Sequence, residues 1–384
     1  MDAAQTLAWA HARQDEMEAL LRELVEIESP STDAAAVERL ARRVARELQG
    51  AGLTTELLPV MGGGPVLRAT GGGLGGAAPV MMLGHLDTVW PLGTLDARPL
   101  RRVGDALYGP GTFDMKGGLV VALFALRALR ASGPLPPVSV FFTPLEEVDC
   151  AAYRERMEAD MRAAAAVLDF EPAWPGGAVK TERKGSGSVV VRARGRAAHA
   201  GADFEKGANA IVELARQTLE AAALTDLAAG VTVNPGVVKG GLRPNVVPDC
   251  ASLEIDFRVR TLADGRRVEQ ALRALRPSDP RVTLEIDGGL HYPPLERTAE
   301  VLRVFETARA VAAELGIDLR EISTGGASEA SFAAALGRPT LDGLGADGDG
   351  AHAEEEHVLV SSMPPRVALA AGLIARLARE QGGA

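Results

Sequence analysis

The sequence predicts an α/β protein: a mainly parallel sheet flanked by helices, interrupted by a second domain with its own core. Three observations predict it. Apolar runs at 80–83, 138–143 and 166–168 end abruptly in polar residues, as strands buried on both faces of a parallel sheet do. Helical stretches lie between these runs. From about residue 184 to 291 the pattern changes to alternating, half-exposed strands.

The chain has 384 residues, 47% hydrophobic and 24% charged, an ordinary globular composition long enough for two domains. Its net charge of −10, with no basic stripe, argues against nucleic acid as a partner. The longest apolar stretch, 119–126, is too short to cross a bilayer. The first residues have neither a basic start nor a sustained apolar core, so no signal peptide and a cytoplasmic location are expected. Cys150 and Cys250 lie far apart and form no metal-spaced cluster, which suits a reducing compartment.

In order, residues 12–27 read as a helix with Met17, Leu20, Leu21 and Leu24 on one face. Ser29–Asp33 break it and cap a second helix to about Gln49, stopped by Gly50 and Gly52. Strands follow at 53–60 and 66–70. The loop 71–76 formally matches G-x-G-x-x-G, but a strand follows where a dinucleotide site needs a helix, so a flexible hairpin loop is expected. After strand 80–83 come His85 and Asp87, an irregular stretch, and the glycine-rich segment 108–118, which opens a helix to about Arg130. Strand 138–143 leads into Glu146-Glu147. A helix then leads to 166–170, which ends at Glu171.

Strands at 188–194, 231–238, 253–259 and 282–286, with helices at 207–223 and 264–275, give the order β-α-β-β-α-β. That is the ferredoxin-like split βαβ arrangement, expected to fold as an inserted domain over 184–291 between two parts of a main domain, 1–183 and 292–384. The tail returns to α/β: a helix at 299–315, a strand at 339–344, a glycine-rich acidic loop leading to His352, and a closing helix from 364 to 381.

His85, the Glu146-Glu147 pair and Glu171 each follow a separate apolar strand, and Asp114 and His352 sit in glycine-bounded loops. In a mainly parallel sheet those strand ends share one edge, where sites of open α/β sheets lie. Two residues apart on extended chain, Asp87 is placed to accept the second ring N–H of His85 and fix its tautomer. Two histidines with several carboxylates and no cysteine pair suit zinc, manganese or cobalt. The acids outnumber what one open zinc needs. Two cations sharing a carboxylate would use them all, and a spare carboxylate beside them would carry a proton to a leaving amine.

The motifs MLGHLDTV, YGPGTFDMKGG, the Glu146-Glu147 pair, LDFEP, GRAAHAG, RPNVVP and the late Gly-x-His occur in that order. Together they resemble the aminoacylase and glutamate carboxypeptidase family of co-catalytic di-zinc metallopeptidases, over about residues 20–375 and most closely its bacterial glutamate carboxypeptidases. Acetylornithine deacetylase and succinyl-diaminopimelate desuccinylase are its relatives. The resemblance implies two Zn²⁺ per subunit, with Co²⁺ or Mn²⁺ as substitutes. His85, Asp114 and Glu171 would hold one, and Asp114, Glu147 and His352 the other. It further implies Glu146 as general base, Asp87 as the residue orienting His85, and a cis peptide after Asp114. His199 would reach a partner subunit's site across a homodimer formed by the inserted domain, which also serves as a lid. Asn245 and Arg258 would hold the substrate carboxylate, with Gly325 and Gly326 offering N–H groups to it. His11, His291 and His357 are expected to be structural.

Two segments depart from the family pattern: Val148-Asp149-Cys150 replaces a small Gly-Ser segment, and Ser328-Glu329 stands where Thr-Asp or Ser-Asp is usual. Both are expected near the pocket, where they bear on substrate identity. The expected activity is zinc-dependent hydrolysis of amide bonds by activated water, removing a C-terminal amino acid from peptides or N-acyl amino acids. The alternatives are a deacylase of the acetylornithine or succinyl-diaminopimelate type, and an inactive binding or scaffold protein.

Overall fold

The computed structural model describes residues 1–73 and 76–382. They divide into two compact units: residues 1–181, 297–323 and 328–384, and residues 182–296 with 324–327.

The first unit begins with α1 (Ala3–His11), α2 (Gln14–Glu26) and α3 (Ala34–Gly50). Met17, Leu20, Leu21 and Leu24 are buried on α2, and Asp33 caps α3 by accepting the Ala36 N–H at 2.9 Å. Helix α1 was not expected, because its Ala-rich turns show little contrast between faces. Strands β1 (Thr54–Leu58), β2 (Val66–Gly71) and β3 (Val80–His85) follow; of the loop 71–76, Leu74 and Gly75 lie outside the described residues. The stretch expected to be irregular contains β4 (Arg101–Val103) and β5 (Ala106–Tyr108), each too short to carry a period. The peptide Asp114–Met115 is cis. Then come α4 (Gly117–Ser132), β6 (Val138–Thr143), α5 (Arg154–Ala163) and β7 (Ala166–Asp169). Gly118 is required for a close approach: a Cβ there would stand 1.9 Å from the Phe170 carbonyl oxygen.

The second unit holds β8 (Gly185–Arg194), β9 (Ala198–His199), α6 (Ala210–Ala222), β10 (Thr232–Gly240), β11 (Val246–Val247), β12 (Cys250–Val259), α7 (Leu262–Arg273) and β13 (Thr283–Tyr292). Its antiparallel sheet runs β10-β12-β8-β13, so β10 and β13 are the edges, and β9 pairs with β11 in a two-residue ribbon. This is the β-α-β-β-α-β order. Its core, around Val189, Leu253, Phe257, Leu214 and Val268, is the inward set of the alternating strands with one face of each helix.

The first unit resumes with α8 (Ala299–Glu314), α9 (Ala330–Ala335), β14 (Thr340–Leu341), β15 (Gly348–Asp349), β16 (His357–Leu359) and α10 (Met363–Gly382). Its main sheet runs β1-β2-β6-β3-β7-β14. Strands β6, β3, β7 and β14 are mutually parallel, and β1 and β2 form an antiparallel edge. Every residue of β3 and β6 is buried, which explains their unbroken apolar runs. His85 is in register with Thr143, and Leu83 with Asp169, so the carboxyl ends of three central strands share one edge. The strand expected at 339–344 shrinks to two residues at the sheet's end. A small sheet, β15-β16-β5-β4, brings the segment around Glu356 against residues 106–108.

Candidate metal centre

His85 closes β3 and is 1% exposed. Its Nε2 lies 3.1 Å from Asp114 Oδ1 and 3.4 Å from Glu171 Oε1. His352 Nε2 lies 3.3 Å from Asp114 Oδ2 and 3.0 Å from Glu147 Oε2. The two oxygens of one carboxylate thus face two different histidines. Donors bound at about 2.0–2.1 Å to one tetrahedral cation stand roughly 3.3 Å apart, close to these spacings. His352 adopts φ 61°, an uncommon left-handed conformation for a side chain other than glycine, at the end of the turn after Gly350.

Asp87 meets His85 through both its main chain and its side chain. His85 Nδ1 lies 2.9 Å from the main-chain carbonyl of Asp87, while the Asp87 carboxylate is 3.6 Å away. That carboxylate also accepts the N–H groups of Glu146 and Glu147, each at 3.2 Å, and the Ser31 hydroxyl at 2.7 Å. Asp87 therefore orients His85 through its backbone, and its side chain fixes the loop bearing the two glutamates.

Burial opposes a charge on His85, yet the carboxylates of Asp114, Asp87 and Glu171 hold its pKa well above the ordinary value. Asp114 and Glu147 push His352 up to about 10. Asp114, despite its burial, is held far below the usual carboxylate range by His352 and His85. Burial raises Glu147, against the pull of His352. Glu146 is raised well above its usual range by burial; His85 opposes this, and the charges of Glu171, Glu329 and Glu147 add to it. Among the described residues, the ion pairs of Asp114 and Glu147 go to His85 and His352 alone. Such a cluster needs positive charge from protons or from a cation. Its nitrogen and oxygen donors fit a zinc-like ion, and His85, Asp114 and Glu147 alone bring three ligand atoms within 4.8 Å of one another.

Glu171 is seated by its neighbours: its carbonyl accepts the Gly345 N–H at 2.9 Å. Arg366, buried, donates to the carbonyls of Gly345 and Gly177 at 2.9 Å and to that of Gly343.

One buried acid was not singled out from the sequence. Glu356 is 1% exposed and accepts the N–H groups of Gly111, Phe113 and Asp114 at 2.8, 3.0 and 3.0 Å, and the Trp90 indole N–H at 2.6 Å. Within Glu354-Glu355-Glu356 it reads as part of a solvated acidic run. The available signal is its position two residues before the apolar Val358, just ahead of a three-residue strand.

Of the two departures from the family pattern, Ser328, Glu329 and Cys150 are buried, and Glu329 lies near enough to the centre for its charge to act on Glu146. Ser328 donates to Asp342 at 2.6 Å, and Glu329 accepts from the Tyr153 hydroxyl at 2.5 Å and the Thr143 hydroxyl at 2.9 Å. Both are fully enclosed, as is Cys150, whose carbonyl accepts the N–H groups of Tyr153 and Arg154.

In the second unit, His199 is exposed, and its Nδ1 accepts the N–H groups of Gly201 and Ala202, both at 3.1 Å. This leaves the ring proton on Nε2. Asn245 is exposed beside it, its carbonyl holding the Ala200 N–H at 3.0 Å. The Arg258 fork is already engaged, with Nε and Nη2 each 3.0 Å from the Asp256 carboxylate. Residues two apart on one strand face share a side, so this pairing was available from the sequence. Gly325 and Gly326 are exposed, and Arg183 donates to the Gly326 carbonyl at 3.3 Å. His291 bonds Ser188, and His357 bonds the Glu355 carbonyl beside the Tyr108 ring.

Residues 81–376 match the model of peptidase family M20/M25/M40. The chain belongs to that family. Carboxypeptidase G2 of Pseudomonas sp. (strain RS-16) is 31% identical over 365 residues, covering 92% of this chain and 87% of that relative. A putative succinyl-diaminopimelate desuccinylase of Mycobacterium tuberculosis (strain CDC 1551 / Oshkosh) is 30% identical over 365 residues, covering 90% and 96%. The fold is shared with aminopeptidase PepT from Bacillus cereus, at TM-score 0.74, 20% identity and coverage of 95% and 99%. An M20 family metallo-carboxypeptidase from Sulfolobus solfataricus gives TM-score 0.72 at 17% identity, covering 95% and 99%. This M20 chain is a hydrolytic enzyme of a metal-dependent family, and among its described residues no helix is long and apolar enough to cross a membrane.

Proposed function

We propose that this M20 enzyme hydrolyses amide bonds at a pair of divalent cations, removing the C-terminal residue of a peptide or N-acyl amino acid. The observation that carries the reading is the division of Asp114 between His85 and His352. His85, Asp114 and Glu171 would hold one cation, and Asp114, Glu147 and His352 the other, with zinc the expected ion and cobalt or manganese its substitutes. When bound, the pair supplies a nucleophilic water at neutral pH and polarises the scissile carbonyl. Glu146 would take a proton from that water and deliver it to the leaving amine nitrogen. Asp87 holds the Glu146-Glu147 backbone so that the two carboxylates keep separate tasks.

The carboxypeptidase reading is supported by the 31% identity to carboxypeptidase G2 over 92% of the chain. The desuccinylase match at 30% identity supports the second reading, an N-acyl amino acid deacylase. A panel of acyl- and folyl-glutamates, dipeptides with varied C-terminal residues, N-acetylornithine and N-succinyl-diaminopimelate separates them. Preference for glutamate conjugates supports the first reading, and preference for the last two substrates supports the second. No hydrolysis of any of them by metal-loaded protein would favour a scaffold role.

The inserted unit is proposed as a dimerisation and lid domain, over about residues 184–291, with His199 serving the partner subunit's site. Support comes from its Nε2 proton, free of the backbone contacts made by Nδ1, which suits an oxyanion donor. Ile211, Val212 and Leu219 on α6 and Val237 and Val238 on the edge strand β10 are exposed apolar residues suited to a second copy. Asn245, Gly325 and Gly326 remain proposed carboxylate contacts, and Arg258 would have to exchange Asp256 for substrate. A monomer with full activity in sedimentation and assay would overturn the role of His199.

A further inference from the structure

We infer that Glu356 is a positioning residue for the metal centre, clamping the two loops that carry Asp114 and His352. The inference rests on the cation-pair reading above. One enclosed carboxylate accepts three main-chain N–H groups from the 111–114 segment, the last being that of Asp114 itself. Its fourth donor is the indole of Trp90, three residues beyond Asp87. Glu356 also lies four residues beyond His352, in the segment that enters β16. The Gly109 N–H closes the same junction from the other side by donating to the Glu356 carbonyl at 3.1 Å.

A carboxylate has acceptor capacity for all four donors and offers no hydrogen of its own to clash with them. Glutamine has one acceptor oxygen, and its amide would confront an N–H group with another N–H. Each of the two oxygens takes two donors, which a glutamine amide at this place cannot match. The side chain points at the backbone of the ligand loop, so its effect on the centre runs through the placement of Asp114.

The expected consequence is loss of cation affinity at the position completed by His352, with the fold retained. Apo-protein is titrated with cobalt(II), reading stoichiometry and affinity by calorimetry and the visible absorption of the bound ion. Wild-type protein taking up no cobalt would remove the cation-pair reading itself, before any variant is compared. In Glu356→Gln, weaker binding of at least one cobalt by about 10–100-fold and a fall in kcat of similar size are expected, with KM within about threefold. Trp90→Phe removes one donor and leaves the three N–H groups, so a smaller shift in the same direction is expected. Cooperative melting checks that each variant is folded. Folded Glu356→Gln with wild-type cobalt affinity and kcat overturns the inference. Should Glu356→Gln fail to fold, Trp90→Phe decides it, and wild-type cobalt affinity in that variant overturns it equally.

Discussion

The carboxylate of Asp87 accepts the backbone N–H of Glu146 at 3.2 Å, and its second oxygen does the same for Glu147. The two residues meet from the ends of neighbouring parallel strands, 59 positions apart. Asp87→Asn keeps the size but puts an amide where one N–H must be accepted. A fall in kcat of about 10–100-fold is expected, with His85 still oriented by the main chain. Steady-state kinetics with metal content measured on the same sample checks this, and unchanged kcat would remove the side chain from the positioning role.

Glu146→Gln separates the proton carrier from the cation site. Turnover should fall by about 10²–10⁴-fold or more, while bound metal stays close to wild type. Retained turnover, or loss of both cations, would contradict the separation of Glu146 from Glu147.

Chelation followed by dialysis should abolish hydrolysis, and zinc or cobalt should restore it. Elemental analysis should give two ions per chain in the wild type. His352→Ala should retain about one, because His85 and Glu171 remain on the other side of Asp114. Two tightly bound ions in His352→Ala would refute the assignment.

Glu329 gives a pH signature. Burial pushes its carboxyl up to about 7, against the hydroxyls of Tyr153 and Thr143. Between its unfolded value and about 7, the folded chain keeps a proton that the unfolded chain has lost, so folding stability falls as pH rises through that window. Glu329→Gln carries no such ionisation. In metal-free protein, its stability relative to wild type should rise from pH 5 to pH 8, by up to about 3 kcal/mol. Urea unfolding at the two pH values checks the sign, and an equal difference at both would refute it.

Arg366 supports the loop behind Glu171 by donating to three main-chain carbonyls, and burial lowers its pKa to about 10. Arg366→Ala leaves those carbonyls and a void in the interior. A loss of about 3–5 kcal/mol is expected in chemical denaturation. A loss under 1 kcal/mol would show that the loop holds without it.

The residues at the carboxyl ends of strands were legible because a strand buried on both faces writes an unbroken apolar run, and a polar residue ending it stands out. His85, Glu146, Glu147 and Glu171 were found that way; the structure gathers His85, Glu147 and Glu171 with Asp114 and His352, and Glu146 is tied in through its N–H on Asp87. The split βαβ insert was legible through alternation at Leu253, Ile255, Phe257 and Val259. What escaped depends on distant partners. Glu356 lies 242 positions from Asp114, and nothing local marks one glutamate of three as enclosed. The further partners of the Asp87 side chain escaped for the same reason: spacing of two places a carboxylate near a ring but says nothing about N–H groups arriving from another loop. The partners of Ser328 and Glu329, which are Asp342 for the first and Tyr153 and Thr143 for the second, were likewise not readable from spacing.

The side chain of His85 is 1% accessible and that of His352 51%. An ion on the His352 side would therefore trade with solvent far sooner than its neighbour. On the proposed pair, metal scarcity would then empty the His352 side first.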